Sequence, residues 1–238
     1  MALRASVILA CFCVVQPPPA AAQTLLKDTI RELQQLPSGD TIRWLAIGAA
    51  VATLGHPADG RITRGLSTSP AMDKTFGPGE PIGGARVQLA GALGTYAFGR
   101  LTGSPTVTAI GTDLLQAQLL AQALTAGVKM STNRTRPDGT HYSFPSGHTS
   151  VTFASATVLQ RNLGWKAGIP AYGVATYVAL SRIQEKRHFF SDVAFGAAIG
   201  IVAGRTVTIG RGDRQFAVAP MATPGGAGVS FTWLGQGR

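Results

Sequence analysis

The sequence predicts an all-α protein, a helical bundle with a short β-hairpin at its C-terminus. Apolar residues return at helical spacing along most of the chain, and turn residues cluster between those stretches. Period-two runs appear only near the end. The chain has 238 residues, which suits one domain with a sizeable core. Charged residues make up 13% and hydrophobic residues 45%, which excludes a disordered polyelectrolyte. Two cysteines exclude a disulfide-rich miniprotein and a four-thiolate zinc site. Lys and Arg number 21 against 11 Asp and Glu, a net charge of +10. That surplus leaves nucleic acid, a membrane or an anionic small substrate as partner classes.

Residues 1–22 read as an export signal. Arg4 supplies the basic start, Ala5 to Val15 the apolar stretch, and Ala20-Ala21-Ala22 a cleavage site before Gln23. The apolar stretch is about half the roughly 20 residues of a membrane-spanning helix. Pro17-Pro18-Pro19 would break a buried helix there. Both cysteines, Cys11 and Cys13, fall inside this segment, so the mature chain is expected to contain none. The expected address is the bacterial periplasm, with a membrane-associated or integral protein as the alternative.

The helical domain is expected over 23–210 and a tail over 211–238. Gln23 to Pro37 has the spacing of a short amphipathic helix, and Trp44 to Leu54 forms an apolar one ended by Gly55, His56 and Pro57. Asp59 to Gly84 is rich in Gly, Pro, Ser and Thr and reads as a long loop. Further helices are expected at Val87–Phe98, Val107–Met130, Thr149–Leu163, Ile169–Arg182 and from Phe189 or Ser191 to Gly204. Gln116, Gln118 and Gln122 interrupt one apolar stretch, and Thr152, Ser155 and Thr157 another, which favours a bundle in water over a polytopic membrane protein. In the tail, Gln215–Ala219 and Val229–Trp233 flank Pro224-Gly225-Gly226, a hairpin pattern.

Three clusters carry chemistry. Lys129 is followed after six residues by Arg136-Pro137; then comes Pro145-Ser146-Gly147-His148; then Ser181-Arg182, His188 and Asp192. Ser146 is an N-cap residue type directly before a helical pattern, and a helix N-terminus offers free N–H groups to a phosphate. Gly147 permits close backbone approach. His188 and Asp192 are four apart, which on a helix places them on one face, where the carboxylate fixes the imidazole tautomer. Lys129, Arg136 and Arg182 supply positive charge for a tetrahedral anion. His141 and Arg134 lie near these clusters and read as exposed loop residues.

These clusters resemble the signature of the type 2 phosphatidic acid phosphatase superfamily, which includes bacterial class A acid phosphatases and vanadium-dependent haloperoxidases. The resemblance covers Gly127 to Gly204 and fills every signature position. It implies a helical bundle and a metal-free phosphomonoesterase. His188 would be the nucleophile that forms a phosphohistidine, oriented by Asp192. His148 would protonate the leaving alcohol and then activate water. Lys129, Arg136, Ser146, the Gly147 N–H and Arg182 would bind the phosphate. The spacer Asp138–Phe144 is short for this family, which implies a relatively open site.

The expected substrate is a phosphorylated small molecule or a lipid phosphate or diphosphate, with contact to a membrane surface open. No cofactor and no metal is expected, nor nucleic acid, because the chain lacks aromatic platforms and a clustered basic run. Two alternatives stand beside this reading. One is a vanadium-dependent haloperoxidase with vanadate in the same pocket. The other is a non-catalytic basic protein that binds anions or lipopolysaccharide. Oligomeric state is open.

Overall fold

A computed structural model describes residues 38–68 and 70–208, together with the backbone of 215–223 and 226–234. The expected leader over 1–22 and the helix expected over 23–37 lie outside the described residues. The first long helix, α1 (Gly39–Gly55), starts at Ser38, whose hydroxyl accepts from Thr41 N at 3.1 Å. After a 3-10 turn at His56–Ala58 come three short helices, α2 (Asp59–Leu66), α3 (Pro70–Phe76) and α4 (Gly79–Gly83). Then follow α5 (Ala85–Leu101), α6 (Pro105–Thr132), α7 (Gly147–Leu163), α8 (Trp165–Gln184) and α9 (Phe190–Val207). An antiparallel hairpin pairs β1 (Gln215–Thr223) with β2 (Gly226–Leu234), so both strands run longer than their alternating patterns.

The three short helices correct the loop expected over 59–84. Helices this short are not stable in isolation, and with Gly and Pro so frequent they leave no periodic trace in sequence. Tertiary contacts hold them instead. Ile62 and Leu66 of α2 pack against buried Ala179, Ile183 and Val193. Phe76 of α3 stacks on Tyr177 at 5.7 Å, and the Tyr177 hydroxyl donates to Thr75 O at 2.6 Å. His56 is exposed as expected, yet its Nδ1 sits 3.3 Å from Asp59 Oδ2.

Helix α9 is the centre of the bundle and packs on α7, α1 and α6. Ala203 and Val207 of α9 join Ala154 and Val158 of α7 and Leu114, Ala117, Leu120 and Ala121 of α6 in the main core. Each Val or Leu side chain among them, when fully buried, contributes about 1.5–3 kcal/mol, and each Ala methyl about 0.8 kcal/mol. The contact between α9 and α7 is unusually close. A Cβ on Gly200 would collide with Ser150 O, and one on Gly196 would lie 2.7 Å from Ser146 O. Glycine in α9 therefore lets the backbone of α7 approach, and with it the Ser146-Gly147-His148 turn.

Gly200→Ala is expected to destabilise the protein by about 1–3 kcal/mol, because the methyl group meets backbone and not a movable side chain. Urea denaturation checks this; an unchanged midpoint would mean that α9 does not seat against α7 as described.

Candidate functional site

The site forms where three chain reversals meet. Helix α6 ends in a left-handed Asn133, and its last turn carries Lys129. The chain then doubles back. Arg136 N donates to Thr140 O at 2.7 Å, Ser143 N donates to Arg134 O at 2.8 Å, and Lys129 Nζ reaches Tyr142 O at 2.6 Å. Ser146 caps α7, its Oγ accepting from Thr149 Oγ1 at 3.0 Å and from Thr149 N at 3.4 Å. Both contacts use the Ser146 oxygen as acceptor, so its hydroxyl proton has no acceptor among the described residues. At the end of α8, the amides of Arg187 and His188 both donate to Arg182 O, at 3.0 and 3.1 Å. This turn sets His188 beside Arg182. Finally, Ser146 N donates to Asp192 O at 3.0 Å and joins the start of α7 to the start of α9.

His188 and Asp192 meet differently from the expectation of a shared helix face. His188 precedes α9, and Asp192 occupies the third position of that helix. Its carboxylate reaches back over the helix start, where Oδ2 accepts from Phe189 N at 2.7 Å and from the Ser143 hydroxyl. His188 Nδ1 lies 3.7 Å from Asp192 Oδ2, an ion-pair separation longer than a hydrogen bond. Both side chains are buried, Asp192 completely. The other ring nitrogen of His188, Nε2, is the one not turned to the carboxylate.

Electrostatics mark the site as cation-rich and partly withdrawn from solvent. Burial, then Arg136, lowers Lys129 to about 8, against the opposing pull of Asp192. Burial, then Arg182 and His188, lowers His148 to about 4, against the pull of Glu80. His188 is lowered too, by burial first, with Lys129 and Arg136 adding to it and Asp192 opposing. Burial alone would raise the Asp192 carboxyl; His188, the Ser143 hydroxyl, the Phe189 amide and Arg134 outweigh it and hold the group anionic. Arg136 Nε and His148 Nε2 are buried without a hydrogen-bond partner among the described residues. Arg182 is buried and paired with Glu185 at 2.5 Å. Among the described residues no group of three or more His, Cys, Asp and Glu is placed to hold a metal.

Lys129, Arg136, Ser146, Gly147, His148, Arg182, His188 and Asp192 thus converge on one place. A Cβ on Gly147 would meet Gln122 Oε1 and Thr125 Cγ2 at 3.8 Å, ordinary contact, so protein packing alone does not demand glycine there. His141 is exposed, as expected. Arg134 is not a free surface residue: its guanidinium is bound to Asp192 at 2.7 Å and to Asp59 at 2.8 Å. Glu80 of α4 lies 3.8 Å from His148 Nε2, so the segment expected as a long loop borders the site. Asp59, Glu80 and Ser143 carried no motif in the sequence; only the adjacency of Arg134 and Ser143 to the clusters hinted at them.

A lipid A 1-phosphatase of Porphyromonas gingivalis is 43% identical over 96 residues, which are 39% of this chain and 21% of that protein. The chain therefore spans about a fifth of that relative's length. The crystal structure of Aquifex aeolicus LpxE superposes with a TM-score of 0.53 and 25% identity, covering 63% of this chain and 93% of that one. A transmembrane PAP2 type phosphatidylglycerolphosphate phosphatase from Bacillus subtilis shares the fold at a TM-score of 0.55 and 19% identity, over 78% of this chain and 92% of that one. Residues 110–216, which hold all three clusters, match the PAP2 superfamily.

Proposed function

We propose that the protein is a metal-independent phosphatase of lipid phosphates that works through a phosphohistidine on His188. The observation that carries this is the convergence of a buried imidazole, His188, and a half-buried one, His148, with three cationic side chains delivered by separate turns of the chain. In this reading Lys129, Arg136 and Arg182, the Ser146 hydroxyl and the Gly147 N–H hold the phosphate oxygens, and a side chain on Gly147 would crowd that anion. Asp192 keeps the proton on His188 Nδ1, which leaves the Nε2 lone pair to attack phosphorus. The bond from phosphorus to the ester oxygen breaks as His148 donates its proton to the leaving alcohol. His148, now neutral, takes a proton from water; the resulting hydroxide attacks phosphorus, the P–N bond breaks, and phosphate is released. A pKa near 4 keeps His148 neutral in the free site. The negative charge of the bound phosphate favours its protonation, so the acid is armed by the substrate itself.

A lipid substrate fits the surface. Helix α5 exposes Val87, Leu89, Leu93, Phe98 and Leu101, and α1 exposes Ile42, Ile47, Val51 and Leu54. These helices have 17 residues each, about 26 Å of apolar flank at 1.5 Å per residue. One described helix, Phe190–Val207, is long and apolar enough to cross a membrane, but 67% of it is buried within the bundle. Exported and seated against lipid on its α1 and α5 faces, the protein would meet a phosphate headgroup without withdrawing the lipid from the membrane. The names of its relatives, a lipid A 1-phosphatase and a phosphatidylglycerolphosphate phosphatase, point to the same substrate class.

His188→Ala is expected to abolish phosphate release from both p-nitrophenyl phosphate and a short-chain lipid phosphate with the circular dichroism spectrum unchanged; wild-type turnover would reject the mechanism. His148→Ala is expected to slow both substrates by about 10²–10⁴-fold, the alkyl phosphate at transfer to His188, because its leaving group needs the proton, and p-nitrophenyl phosphate at hydrolysis of the phosphohistidine, so that only p-nitrophenyl phosphate gives an initial burst of nitrophenol. Activity should persist in EDTA. Tungstate, an oxyanion whose charge is constant over this range, should inhibit with constant affinity below pH 8. Above about 8 Lys129 loses its proton, and affinity should fall by about tenfold per pH unit. Lys129→Arg should remove that dependence; a flat profile from pH 7 to 10 in the wild type would show that Lys129 is not an anion ligand.

A further inference from the structure

Three of the five N–H donors of the Arg134 guanidinium are bound inside the protein. Its Nη1 donates to Asp192 Oδ1 and to Ser191 Oγ, both at 2.7 Å, and its Nη2 donates to Asp59 Oδ2 at 2.8 Å. Asp59 is itself buried and bound twice to Ser191, accepting from the amide at 2.9 Å and from the hydroxyl at 2.6 Å. The guanidinium also lies over the Phe189 ring, 4.4 Å from its centroid. This differs from Arg136, whose Nε has no partner among the described residues. Arg134 thus bridges two carboxylates, Asp59 and Asp192.

We propose that Arg134 and Asp59 are positioning residues for the His188–Asp192 pair: Asp59 anchors Arg134, and Arg134 clamps Asp192 Oδ1 so that Oδ2 faces His188. The proposal rests on reading His188 as the nucleophile. Oδ2 already accepts from Phe189 N and the Ser143 hydroxyl, so a donor fixed on Oδ1 sets the plane of the carboxylate. Without Arg134, two buried carboxylates would share one corner with no cation between them. One would take up a proton or turn toward water. A protonated or rotated Asp192 no longer holds the His188 tautomer that attacks. Asp59 lies far upstream, on a short helix outside all three clusters, and ties that helix to the start of α9.

The test is steady-state kinetics on p-nitrophenyl phosphate for Arg134→Ala, Arg134→Lys and Asp59→Asn, each alone and combined with Asp192→Asn, with thermal melts recorded in parallel. We expect kcat to fall by about 10- to 100-fold in Arg134→Ala and Asp59→Asn with KM within about threefold, as for a displaced reacting group. Arg134→Lys should recover part of the loss. In the Asp192→Asn background the same changes should cost less than about threefold, because the residue they act through is already disabled. Wild-type kcat in Arg134→Ala, a loss confined to KM, or losses that multiply in full with Asp192→Asn would each overturn the proposal. If Arg134→Ala does not fold, Asp59→Asn, which preserves shape and volume, is judged by the same criteria. His188→Ala separates the two levels. Retained turnover there rejects the phosphohistidine reading, whereas an inactive His188→Ala beside an unaffected Arg134→Ala and Asp59→Asn rejects the positioning role alone.

Discussion

A carboxylate with no access to water must be surrounded by donors or lose its charge. Asp192 is in that position, and the way it is satisfied organises the site. Its side chain draws in Arg134 and Ser143 from the loop after α6 and the Phe189 amide from its own helix start, while its backbone carbonyl takes the Ser146 amide. The residues that would bind phosphate hang from these same segments. Lys129 and Arg136 flank the first, Gly147 and His148 follow the second, and His188 precedes Phe189. Burying one aspartate therefore fixes the relative placement of groups that are distant in sequence. The glycines of α9 serve the same end, since only close approach of α7 brings Ser146 within reach of Asp192.

Much of this was legible in the sequence because it depends on local rules. A Ser-Gly pair before an apolar helical pattern marks a capped N-terminus, and Ser146 caps α7. The long helices follow from their periodicity, with ends displaced by a few residues where caps and final turns carry no apolar signal. What was not legible depends on contacts across the chain. The segment 59–84 has the composition of a loop, and only packing on α8 and α9 makes it helical. Arg134 had the appearance of a solvated loop cation because its two carboxylate partners lie 75 and 58 residues away. The His188–Asp192 spacing suggested a helix face, whereas the real contact is a helix cap closing over the preceding turn; the same interval serves both geometries.

The basic surplus of the whole chain takes on a local meaning in this arrangement. Lys129 is removed from water far enough, and lies close enough to Arg136, that it is pulled down toward neutrality. A bound tetrahedral anion relieves that crowding, which makes charge repulsion in the free site a source of affinity for phosphate. The apolar flanks of α1 and α5 complement this polar pocket, and together they describe a surface suited to an amphiphile with a phosphate head.

The central claim is that Asp192 and its donors hold His188 as the nucleophile. Its most direct test is to mix His148→Ala protein with p-nitrophenyl phosphate, quench at alkaline pH within the first turnover, and map the phosphoryl group by mass spectrometry. The account predicts one phosphoryl group on the peptide containing His188, and none in the His148→Ala/His188→Ala double variant. A label on Ser146 or another residue, or turnover that survives removal of His188, would contradict it.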